Sequence, residues 1–134
     1  LNALGAYYSY LGKIETKQRE KEEHFIQATQ FYNRASRIDM HEPSTWVGKG
    51  QLLLAKGDVD QAFNTFKIVL DGDRGNVPAL LGQASVQFTR GQFSESLELY
   101  KVCYLSCILQ KECCLVLCQG PCTYCLNICF FLFC

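Results

Sequence analysis

Residues 43–102 match themselves at a shift of 34. Trp46 falls on Leu80, Gly50 on Ala84, Gly57 on Gly91 and Val59 on Phe93. Ala62 falls on Ser96, Phe66 on Tyr100 and Val69 on Cys103. Size class is kept at each pair, small on small and large apolar on large apolar. Seven agreements at one fixed shift set aside two unrelated amphipathic stretches. A unit that recurs at such a period buries its apolar face by stacking on its neighbours. Within the unit, Trp46, Gly50 and Leu53 stand at i, i+4 and i+7, on one face of a helix. Ala62, Phe66 and Val69 do the same on a second helix. Gly57 breaks the chain between them, and Asp58 with Gln61 three residues on predicts a capping box. Antiparallel helices approach closely only at small side chains, which Gly50 with Ala62, and Ala84 with Ser96, supply.

A third copy lies upstream. Leu4, Gly5 and Tyr8 have first-helix spacing, and Gly12 falls where the inter-helix glycine belongs. Ala28, Tyr32 and Ala35 lie 34 residues before Ala62, Phe66 and Val69. About eleven residues are therefore inserted between the two helices, namely 13–23, KIETKQREKEE, with eight charges. That composition predicts a solvated helical extension or a mobile loop.

The period and residue types resemble the tetratricopeptide repeat (TPR), whose signature runs W-x2-L-G-x2-Y, then A-x3-F, then P. Trp46, Gly50, Ala62 and Phe66 match it; Lys49, Leu53 and Arg74 depart from it. The expected fold class is all-α, TPR helix-turn-helix repeats stacked as a short right-handed solenoid, with an unassigned Cys-rich apolar C-terminal tail. The expected divisions are 1–41 with its charged insertion at 13–23, 42–75, a truncated 76–102, and the tail 103–134.

All nine cysteines lie between Cys103 and Cys134, a stretch whose charged residues are Lys111 and Glu112. Three readings compete there. Cys122 and Cys125 have the spacing of half a zinc knuckle, but no histidine and no second well-spaced pair accompany them. Residues 113–134 are uncharged and long enough to cross a membrane, which would make the chain a membrane-anchored TPR adaptor. Gln119, Gly120, Pro121 and Asn127 interrupt that span. The favoured reading is that 103–134 lies outside the native fold, as when a reading frame runs into non-coding sequence. Retention in a membrane pellet after alkaline washing distinguishes an anchor from the rest.

Thirteen basic and thirteen acidic residues cancel, so the composition carries no electrostatic footprint for nucleic acid or an anionic membrane. The chain opens on Leu1 and its single methionine is Met40, which predicts a piece of a longer protein or a processed chain. The opening residues do not have signal-peptide form. His24 and His41 stand apart from any nucleophile constellation, and no Gly-rich phosphate loop follows a strand. An enzyme, a cofactor and a metal centre are accordingly not expected. TPR stacks present a concave groove lined by first helices. At groove spacing lie Ser44, Val47, Gln51 and Leu54, then Leu81, Ser85 and Phe88. Chaperone-binding TPRs hold a carboxylate with Lys and Asn there. Val47, Gln51, Leu81 and Ser85 carry no positive charge. An extended or helical partner held by apolar contacts is expected instead, with packing against a neighbouring helix of the same stack as the alternative.

Residues 32–71 and 76–101 resemble more narrowly one TPR family, the Ctr-nine homologues, plant type. These are the scaffold subunits of the RNA polymerase II-associated factor (PAF) complex. LNALGAYYSYLGK and the REKEE insertion fit the same family. The resemblance implies a nuclear scaffold in transcription elongation and histone modification, linked in plants to flowering time. Its implied partners are other PAF-complex subunits and the RNA polymerase II machinery.

Overall fold

A computed structural model describes residues 1–109, which form six helices. They are α1 (Asn2–Ile14), α2 (Gln18–Ile38), α3 (Pro43–Lys56), α4 (Val59–Gly72), α5 (Val77–Thr89) and α6 (Phe93–Leu109). Consecutive helices pair as α1 with α2, α3 with α4 and α5 with α6, and each pair packs on the next. The fold class is all-α, and its architecture is that of a TPR-type helical repeat.

Local chemistry sets the boundaries. The Glu42 side chain accepts from the Ser44 N–H at the start of α3, where Pro43 takes a position that needs no donor. Asn76 accepts from the Ala79 N–H at 3.1 Å and opens α5 in the same way. Gly57 and Gly91, 34 residues apart, both lie in the left-handed region, at φ 93° and 81°. At each turn two N–H groups close back on the helix: Asp58 to the Leu53 carbonyl and Gly57 to Leu54, then Gln92 to Gln87 and Gly91 to Phe88. This closure explains why the capping box does not form. Asp58 occupies the cap position of α4, but its side chain makes no cap hydrogen bond. The backbone N–H that Gln61 would need is already donated to Leu53.

The first pair departs from the expected plan. Gly12 is not a turn residue but lies inside α1, where an added Cβ would stand 2.5 Å from the Phe25 ring. The turn falls at 15–17 instead, closed by Glu15 accepting from the Thr16 and Lys17 N–H groups at 2.9 and 3.1 Å. The insertion lengthens both helices: 13–14 end α1 and 18–23 open α2. Lys17 with Glu20 and Arg19 with Glu23 pair along its exposed face.

The core is built from rings seated on glycines. Phe66 of α4 is fully buried. An added Cβ would reach 2.6 Å from its ring at Gly50 and 2.4 Å at Gly82. Gly50 belongs to the first helix of the same pair and Gly82 to the first helix of the next. Tyr32 of α2, 34 residues earlier, repeats the arrangement between Gly5 and Gly48, at 2.8 and 2.3 Å. One aromatic ring per pair thus joins three helices. At the last pair Ala84 and Ser96 are both buried, and the Ser96 hydroxyl donates to the Ala84 carbonyl at 2.8 Å.

Burial pushes the Tyr32 hydroxyl above its ordinary pKa, and a hydrogen bond with Ser9 acts in the opposite sense. The folded state therefore favours the neutral phenol. Its contribution is fully present below the ordinary tyrosine value near 10 and is lost as pH rises through the raised folded value. Urea titrations at rising pH should show stability falling above about pH 10, and Tyr32→Phe should flatten that fall.

α6 continues seven residues past the expected boundary at 102. Cys103 occupies the place of Val69 and is 2% exposed. The start of the Cys-rich segment is thus part of the packed helix. A chain ending at 101 should melt several degrees below one ending at 109, because it loses that buried side chain; paired thermal denaturation under reductant reads the difference. The metal and membrane readings of Cys122, Cys125 and 113–134 lie outside the described residues. Among the described residues, no helix is long and apolar enough to cross a membrane, and no group of His, Cys, Asp and Glu could hold a metal ion.

Candidate protein-binding surface

The first helices α3 and α5 carry the seven residues expected to line a groove. Ser44, Gln51 and Phe88 are exposed, Leu54, Leu81 and Ser85 are half-buried, and Val47 is buried. Val47 belongs to the core around Ala62 and Phe66, and Leu54 packs against it. These two support the surface from beneath.

Hydrogen bonds orient the polar members. The Ser44 hydroxyl donates to Glu42 at 2.7 Å and accepts from the Asn2 side chain at 3.0 Å. The same Asn2 accepts from the buried Thr45 at 3.0 Å, so one asparagine of α1 ties the first helices of two pairs together. Ser85 donates to the Leu81 carbonyl at 3.0 Å and lies 3.4 Å from the Tyr100 hydroxyl. Gln51 and Phe88 have no such ties within the chain among the contacts described, and they are the side chains most open to a partner.

Phe88 meets Phe93 edge to face at 5.2 Å, and both rings are exposed. Phe93 was absent from the sequence-derived groove. The repeat comparison held the signal: its counterpart Val59 is apolar and half-buried, whereas Phe93 is larger and exposed. Lys49, a departure from the TPR signature, lies over the Trp46 ring at 5.1 Å, and burial lowers its pKa. The Trp46 indole donates to the Met40 carbonyl at 2.8 Å. Lys49 thus takes part in packing around the signature tryptophan.

The fold and this surface define a class: tandem antiparallel helix pairs of the TPR kind, with an apolar and hydroxyl-bearing face on the first helices. No protein-family model matches the chain. Over 101 residues it is 79% identical to the Protein CTR9 homolog of Arabidopsis thaliana, a match covering 75% of this chain and 9% of that relative. The similarity supports reading the matched residues as a CTR9-type segment, in agreement with the narrower family resemblance. The chain spans about a tenth of that relative's length.

Proposed function

We propose that the chain is a protein–protein interaction scaffold, a segment of a PAF-complex subunit acting in RNA polymerase II transcription elongation and histone modification. The observation that carries this reading is the 79% identity over 101 residues to the CTR9 homolog. The helix-pair fold supports it, since such stacks bind other proteins along their first helices. On this reading the chain works in the nucleus, and in plants it bears on flowering time. Its partners are other PAF-complex subunits and the RNA polymerase II machinery. Binding uses Ser44, Gln51, Leu54, Leu81, Ser85 and Phe88, with Val47 behind them, and takes an extended or helical segment by apolar contact.

The test is copurification of the tagged full chain from plant nuclear extract under reductant. The other PAF-complex subunits are expected in the eluate. Phe88→Asp or Gln51→Arg should lower their capture about tenfold while helical circular dichroism stays constant. An eluate without those subunits overturns the assignment. Full capture by both variants moves the binding surface elsewhere.

A further inference from the structure

The repeat-to-repeat contact has two halves, and each end of the stack exposes one of them. Between the second and third pairs, α4 offers Phe63, Phe66 and Leu70, and α5 answers with Gly82 and Val86. Phe66 and Val86 are fully buried. At a shift of 34, the α4 set becomes Leu97, Tyr100 and Tyr104 on α6. These residues remain large and apolar, yet Leu97 and Tyr104 are 37% and 45% exposed.

The answering half recurs at the other end. Allowing for the inserted residues, Gly48 and Leu52 of α3 correspond to Ala3 and Tyr7 of α1. Leu52 is buried on α2, within the cluster of Phe25, Ala28 and Tyr32. Ala3 is exposed, and Tyr7 is 55% exposed. A small residue followed four positions on by a large apolar one is the pattern that receives an aromatic ring in both internal contacts.

We propose that the chain associates head to tail with copies of itself, α6 of one copy docking on α1 of the next. The contact continues the interface that already joins the pairs within the chain. Residues 110–134 fit the same place poorly. The residue 34 after Gly82 is Val116, whose branched Cβ would occupy the notch that the ring requires. Ala3 also brings a Cβ where Gly48 and Gly82 have none, so the copies sit roughly 1 Å further apart than the internal pairs. Association is accordingly weaker than the internal stacking. The two faces differ, so the contact does not close on itself and an open-ended stack results.

Sedimentation velocity of the full chain under reductant tests this. The average mass should rise with concentration. Tyr7→Glu blocks one face and Leu97→Glu the other, and each variant should sediment as a monomer. Mixed in equal amounts, they should give a species of doubled mass, since each retains the face the other lacks. A wild-type chain that is monomeric throughout overturns the proposal. So do single variants that associate as the wild type does, or a mixture that stays monomeric. If either variant loses helical signal, Ala3→Glu and Tyr104→Glu, also at exposed positions, are read in the same way.

Discussion

Phe66→Ala should lower the free energy of unfolding by about 3–5 kcal/mol. The ring is fully buried and lies against backbone on two sides, at Gly50 and Gly82. Helix backbone cannot easily collapse into the space the ring leaves, which puts the cost at the upper part of that range. A small domain holds only about 5–15 kcal/mol in total. Chemical denaturation should show a midpoint shifted far to lower denaturant, with a shallower slope if the pairs no longer unfold together.

Gly82→Leu attacks the same contact from the other side. An added Cβ would stand 2.4 Å from the Phe66 ring, too close for any carbon pair. α5 must move away from α4, and overpacking of this kind costs about 1–3 kcal/mol or more. The two changes should be coupled. In a Phe66→Ala background the leucine enters the space the ring vacated, so Gly82→Leu should cost less there than in the wild type. Equal costs in both backgrounds would mean that Gly82 matters for some reason other than Phe66.

Much of this was legible in the sequence, because a repeat shows its own period. The 34-residue shift located both left-handed turn glycines, Gly57 and Gly91, and the small contact of Ala84 with Ser96. Gly12 was misplaced because a glycine under a ring and a glycine in a turn have the same letter. Only the lengths of the flanking helices separate them, and the insertion changed both lengths. Gly48 and Gly82 fall outside the TPR signature, though they too are 34 apart. Their role emerges only when a ring from the preceding pair is seen above them. The capping box failed because a backbone bond, invisible in residue types, had taken its donor. In the groove, residue spacing separated Val47 from Gln51 no further than one helical turn. It could not tell which of the two the core would claim.

The central claim is that one aromatic ring per pair binds its own first helix to that of the next pair, making the stack a single cooperative body. Amide hydrogen exchange on the wild type and on Phe66→Ala tests it most directly. The account predicts that protection falls together in α3, α4 and α5, including residues around Gly50 and Gly82 that the substitution does not alter. Loss of protection confined to α4, with α3 and α5 exchanging as in the wild type, would contradict it.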